Sequence, residues 1–189
     1  MNICCIETRK LPPEWTRHTV ALPVDALPLL SAAGMRWVAR ALAETDPAYK
    51  QLIPYMLVRD HADRILCYPR HGSEARLHGL YSCGIGGHID EIDRRDTLAE
   101  TVTAGLMREL AEELADFKAE AIQFSYCGLI NEAETPVGQV HLGLVYEARC
   151  VEGYLPTPAE ELAGAQWLSA DELRPLRKES WSDLAFQLV

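Results

Sequence analysis

Between Arg108 and Glu113 the chain reads Arg-Glu-Leu-Ala-Glu-Glu. Four charged side chains stand in a segment whose apolar residues recur every four positions. Leu98, Val102, Leu106, Leu110 and Leu114 make that stripe, as in an amphipathic helix with one buried side. Thr97, with Glu100 three residues on, has capping-box spacing at its start. At about 100° per residue, Glu109, Glu112 and Glu113 fall within one arc of roughly 100°. Carboxylates that close repel one another, and a hard divalent cation such as Mg²⁺ or Mn²⁺, which takes oxygen ligands, is what would hold them together. Upstream lies Gly84-Ile85-Gly86-Gly87-His88-Ile89-Asp90. A turn of that composition lets another group come close to the backbone.

Around this stretch the pattern alternates between strand and helix. Gln51 to Val58 and Ile65 to Tyr68 read as a hairpin, with Pro54 suggesting an edge position or a bulge. Tyr81 to Ile89 is a short strand into the glycine turn, and Ala121 to Ile130 and Val140 to Ala148 follow the helix. Gly164 to Leu168 is a last strand, Ser169 and Glu172 repeat the capping-box spacing, and Trp181 to Leu188 suits a closing helix. Strands, helix, strands, helix gives an α/β fold, an α/β/α sandwich around a mixed central sheet. Residues 1–48 read as an N-terminal extension, with helical spacing from Ala32 to Ala43, and residues 49–189 as the main domain. The extension could cover the pocket, build a dimer interface or extend the sheet.

The formal net charge is −10 over 189 residues, which argues against a partner bound through a nucleic-acid backbone. It does not argue against a small phosphorylated substrate, because a metal ion inverts the local field. Six cysteines, two of them adjacent and none in a Cys-x-x-Cys pair, fit reduced thiols in a cytoplasmic protein better than a disulfide framework. The N-terminus has no signal-peptide pattern, and no apolar run nears the roughly 18 residues that span a bilayer.

The stretch resembles the Nudix box of the Nudix hydrolases. That pattern is a Gly, five residues, a Glu, seven residues, then Arg-Glu-aliphatic-any-Glu-Glu-any-Gly-aliphatic. Glu100, a gap of seven, and Arg108-Glu109-Leu110-Ala111-Glu112-Glu113 match it. Twelve residues separate Gly87 from Glu100, so the loop carries an insertion, and Ala115 and Asp116 replace the terminal Gly and aliphatic residue. Without that Gly cap the helix is expected to run on toward Phe117, bringing Asp116 near the Glu109 direction. The resemblance covers about residues 50 to 176, and Tyr49 to Ile89 is also similar to a bacterial branch described as phosphoesterases.

The resemblance implies the Nudix sandwich and a metal-dependent hydrolase of a pyrophosphate linkage in a nucleoside diphosphate derivative or similar organic pyrophosphate. It implies Mg²⁺ or Mn²⁺ held by Glu109, Glu112, Glu113 and the Gly87 backbone. Glu109 and Glu112 are the catalytic carboxylates, one of the three glutamates is the general base, and Arg108 orients them. Gly86, Gly87, Arg70, Arg76 and His88 are candidates for substrate contact. Glu100 stays divided between the box and the helix cap, and Glu132, Glu134, Glu160 and Glu161 are loop acids that could add a base or ligand. His141, in an apolar strand, reads as a core residue. The expected partner is a small nucleotide-like molecule, with no nucleic acid or membrane, and a homodimer stays open. The competing reading is a non-catalytic nucleotide or sugar-phosphate sensor of the same fold. An isomerase of isopentenyl diphosphate fits less well, because the Cys and Glu arrangement it calls for is not identifiable.

Overall fold

A computed structural model describes residues 1–70 and 79–189. Its strands are β1 (Asn2–Glu7), β2 (Val20–Leu22), β3 (Arg36–Ala39), β4 (Tyr49–Arg59), β5 (Ile65–Pro69), β6 (Tyr81–Ser82), β7 (Ile85–Gly86), β8 (Ile122–Asn131), β9 (His141–Cys150) and β10 (Gln166–Leu168). Its helices are α1 (Pro13–Thr16), α2 (Leu27–Ala33), α3 (Arg40–Ala43), α4 (Leu98–Glu113), α5 (Pro136–Val140), α6 (Ala170–Leu173) and α7 (Ser180–Ala185). The main path of the sheet is β10-β5-β4-β9-β8-β2. β4 and β9 run parallel from Gln51↔His141 to Arg59↔Arg149, while the other pairs are antiparallel, so the sheet is mixed.

β4 is buried from Lys50 to Val58, and its near-continuous apolar run is what a strand covered on both faces requires. Alternate residues face opposite layers. Met56 and Val58 pack with Leu106, Leu110 and Leu114 along α4, and Tyr55 and Leu57 pack with Leu173, Leu184 and Ala185 of α6 and α7. The result is the α/β/α sandwich. Pro54 lies in the middle of this central strand, paired with Leu144, not at an edge. Its carbonyl is 3.2 Å from where a Cβ on Gly86 would stand. A strand residue's N and O face the same side, so the missing N–H falls at the seam where β1 stops at Gln51 and β7 begins at Tyr55.

α4 opens on the capping box read from the sequence. Thr97 Oγ1 accepts from Glu100 N at 3.2 Å, and Glu100 Oε2 accepts from Thr97 N at 3.1 Å. The helix does not run on to Phe117. Leu114 turns extended (φ −121, ψ 109) and bridges Pro158, and Ala115 N donates to Thr157 O at 2.9 Å. Strand-like pairing replaces the absent glycine cap. Asp116 accepts from Thr157 N at 2.6 Å, so it holds that segment instead of extending the glutamate cluster.

The first 48 residues extend the sheet through β1, β2 and β3. The helix expected over Ala32 to Ala43 is split. α2 ends on Gly34, whose φ of +80 permits the left-handed stop. Arg36–Ala39 then pairs with β1, and α3 resumes at Arg40.

Candidate active site

Helix α4 and the glycine bend meet at Glu109. A Cβ on Gly87 would stand 2.0 Å from the Glu109 carboxyl carbon, so only glycine allows this approach. Gly87→Ala is expected to leave the fold intact, because the atom displaced is the end of a flexible side chain. It should cut turnover about 100-fold, since a displacement near 1 Å at a reacting group costs that much. Circular dichroism with steady-state kinetics checks both halves.

Arg108 lies under the glutamates. Its Nη1 donates to Glu109 Oε1 at 2.8 Å and reaches Glu112 Oε2 at 3.2 Å. Its Nη2 donates to the His88 carbonyl at 2.7 Å and to Asp93 Oδ2 at 2.9 Å, and Nε reaches Asp93 Oδ1 at 3.1 Å. The three glutamates differ in exposure. The Glu109 side chain is 13% exposed and that of Glu112 57%, while Glu113 is half-buried. Burial raises the Glu109 pKa, with Arg108 opposing and Glu112 and Asp90 adding. Burial, then the charges of Glu161, Glu109 and Glu112, push Glu113 up to about 7 against the pull of Arg70.

The fourteen residues from Arg94 to Met107 place the box differently from the Glu100 alignment. Beyond five intervening residues from Gly87 stands Asp93, and it is Asp93, 3% exposed, that grips Arg108. Glu100 is engaged with Thr97 at the helix start and joins neither Arg108 nor the glutamates. The extra seven residues lie between Asp93 and Arg108, close to two helical turns. Lengthening α4 by two turns at its N-terminus keeps Arg108 on the same face. Counting forward from Gly87 to the first acid at the pattern's spacing would have found Asp93.

Beside the bend opens a cavity of about 560 Å³. Gly84, Gly86, Gly87 and His88 line one side, Tyr55 and Trp181 the sheet side, and the loop from Glu132 to His141 another. Arg40, Glu44 and Thr45 of the N-terminal region complete it. Arg70 lies on the wall, 3.8 Å from Glu179 Oε2; Arg76 lies outside the described residues. Glu132 is 5% exposed and its carboxylate accepts from Glu134 N, Thr135 N and Thr135 Oγ1, so it is spent on holding its own loop. Glu134, Glu160 and Glu161 are exposed, and the charge of Glu161 helps raise the Glu113 pKa.

Two pocket residues were not legible as such. His141, read as core, lines the cavity; Nδ1 is 2.6 Å from the Val137 carbonyl and Nε2 3.4 Å from His88 Nε2. Burial lowers its pKa and takes that of His88 down to about 4, with Arg40 and His141 adding to the latter. Glu179 came from a segment with no motif. Its Oε1 accepts from Ser82 Oγ at 2.6 Å and from Tyr55 Oη at 3.2 Å.

The donor set fits a divalent cation. Among the described residues no three His, Cys, Asp or Glu groups stand preassembled around a point. Yet Glu113 Oε2 and Asp90 Oδ1 are buried without a hydrogen-bond partner, and Arg108 is the cation shared by Asp93, Glu109 and Glu112. An orphaned carboxylate oxygen beside two further carboxylates is the environment a hard cation relieves.

The NUDIX domain family model matches residues 50–188. Protein YmaB of Bacillus subtilis (strain 168) is 32% identical over 164 residues, spanning 83% of this chain and 79% of that protein. The crystal structure of Tm1382, assigned to the Nudix hydrolases, superposes with a TM-score of 0.78 at 30% identity, over 98% of this chain and 96% of that one. The Nudix domain of Shewanella oneidensis NrtR, solved with ADP ribose, shares the fold at a TM-score of 0.53 and 16% identity, over 73% and 87% of the two chains. The chain belongs to the Nudix family and is an enzyme of the Nudix pyrophosphohydrolase type. Among the described residues no helix is long and apolar enough to cross a membrane.

Proposed function

We propose that the protein hydrolyses the pyrophosphate linkage of a nucleoside diphosphate derivative or similar organic pyrophosphate, using Mg²⁺ or Mn²⁺ held by Glu109, Glu112, Glu113 and the Gly87 backbone. The observation that carries this is the buried, unpartnered Glu113 oxygen on the helical turn that also presents Glu109 to the glycine bend, beside a cavity of about 560 Å³. Such a volume suits a nucleotide-sized ligand, and the ADP ribose bound by the NrtR domain belongs to that class.

A divalent cation bound there supplies neutralisation of the diphosphate charge and makes water more acidic. Everything else falls to the chain. Arg108 fixes Glu109 through a charge-assisted bond and ties it to the bend through the His88 carbonyl. Glu109, mostly buried with a raised pKa, takes the proton of the attacking water. Gly86 and Gly87 leave room for the phosphates, and Arg70 draws them to the wall. Residues 49–189 are the hydrolase unit, and residues 1–48 complete its pocket through Arg40 and Glu44. Six free cysteines, five of them buried, suit work in the cytoplasm.

The test is phosphate or nucleotide release from a panel of dinucleotides, nucleotide sugars and nucleoside triphosphates with Mg²⁺ and with Mn²⁺. Turnover dependent on the cation is expected on at least one diphosphate-linked member. Tight binding with no turnover on any member would replace this reading by the sensor.

A further inference from the structure

The hydrogen bonds around His88 fix where its proton sits. Gln51 Nε2 donates to the Ala43 carbonyl at 3.0 Å, which turns Gln51 Oε1 toward His88 Nε2, 2.9 Å away. His141 Nδ1 faces the Val137 carbonyl at 2.6 Å. A carbonyl only accepts, so that nitrogen carries the hydrogen and the neutral ring leaves a lone pair on Nε2. His88 Nε2, 3.4 Å from it, thus faces two acceptors and must be the N–H. One N–H per neutral ring then leaves His88 Nδ1 as a bare acceptor. Among the described residues nothing is bonded to that atom. The sealed, unpartnered side-chain polar atoms among the described residues are Asp90 Oδ1, Glu113 Oε2 and Tyr126 Oη. His88 Nδ1 is not one of them and His88 lines the cavity, so this nitrogen is open to a ligand.

His88 also follows Gly87, the residue against the Glu109 carboxylate. A group that reaches Nδ1 therefore lies one residue from the bend that Glu109 approaches. We infer that His88 Nδ1 accepts a hydrogen bond from a hydroxyl or amine on the group attached to the diphosphate, so that the enzyme selects polyhydroxylated esters, such as sugars, over alkyl esters. This rests on the hydrolase reading above. It assigns His88 a specificity role that the cluster of glutamates does not supply.

Two substitutions separate this role from a structural one. In His88→Asn the amide oxygen takes the place of Nδ1 and the reach to Gln51 is lost. In His88→Gln the amide reaches the Nε2 position, keeps the bond to Gln51 and loses the acceptor. The substrates are ADP-ribose and the n-butyl ester of ADP, and the readout is the ratio of their kcat/KM values, which a general loss of fold or rate does not move. The wild type is expected to prefer ADP-ribose by about tenfold, the worth of one hydrogen bond, with the preference kept in His88→Asn and lost in His88→Gln. A preference kept by His88→Gln and lost by His88→Asn would show that the residue only supports Gln51 and would overturn the inference. So would a wild-type ratio near one with both esters hydrolysed, which leaves the hydrolase reading intact. Failure of the wild type to release product from either ester or from any other diphosphate-linked compound overturns the hydrolase reading, and the inference goes with it.

Discussion

Glu113→Gln and Glu109→Gln are each expected to lower turnover by about 10²- to 10⁴-fold, the range for removing a group that transfers a proton or fixes the charge it needs. The metal-free Glu113→Gln protein should melt at or above the wild-type temperature. Glu113 carries a buried oxygen with no partner under the charges of Glu161, Glu109 and Glu112. An amide keeps the shape and removes the repulsion, so function and stability pull in opposite directions at this position. The pH dependence has a definite sign. The folded protein raises the Glu113 pKa from an ordinary 4.5 to about 7 and therefore binds the proton more tightly than the unfolded chain. Its contribution to stability is full below about pH 4.5 and is lost as pH rises toward 7. Added Mg²⁺ should restore the lost stability, increasingly so as pH rises, because the ligand oxygen must be deprotonated. Thermal melts of wild type and Glu113→Gln between pH 4 and 8, with and without Mg²⁺, check this. A wild-type profile that rises from pH 4.5 to 7 without metal, or a Mg²⁺ response unchanged in the variant, would contradict it.

What the sequence disclosed follows from which signals are local. The leucine stripe, Thr97 and Glu100 specify α4 within a few turns of chain, and β4, β8 and β9 carry runs long enough to name themselves. The failures depend on partners far away in sequence. Pro54 is tolerated in a central strand because two different strands, β1 and β7, share its open side, which no window around Pro54 reveals. Arg36–Ala39 has helix-like spacing but is drawn into the sheet by β1, after Gly34 has stopped the helix. The end of α4 depends on Thr157 and Pro158. At the site, Glu109 and its glycine contact were legible because both lie in one stretch. His141 and Glu179 were not, because only the pairing of β9 with β4 and the docking of residues 177–182 on β6 bring them to the cavity. At Glu100 two patterns coincide, the box spacing and the cap, and the hydrogen bonds it makes are those of the cap.

Asp93→Ala decides that last point and is expected to be the costlier of a pair. It removes a carboxylate whose side chain is 5% exposed and that holds Arg108 through both oxygens. The guanidinium it leaves is 22% exposed. Breaking a buried pair from one side costs about 3–5 kcal/mol, and because Arg108 keeps Glu109, Glu112 and the His88 carbonyl, a loss near 3 kcal/mol is expected. Activity should fall as well, since the same bonds fix the turn over residues 90–93 against α4 and so aim Glu109 at Gly87. Glu100→Ala removes only the reciprocal half of a cap, worth about 1 kcal/mol, and should leave kcat untouched. Urea denaturation and kinetics on both variants give the comparison. If Glu100→Ala were the one to abolish turnover while Asp93→Ala did not, Glu100 would be the box acid after all, and the seven extra residues would have to be placed before it. With Asp93 in that role, α4 has gained two turns at its N-terminus and kept the face it presents to the glycine bend, which is how the box can be lengthened without being broken.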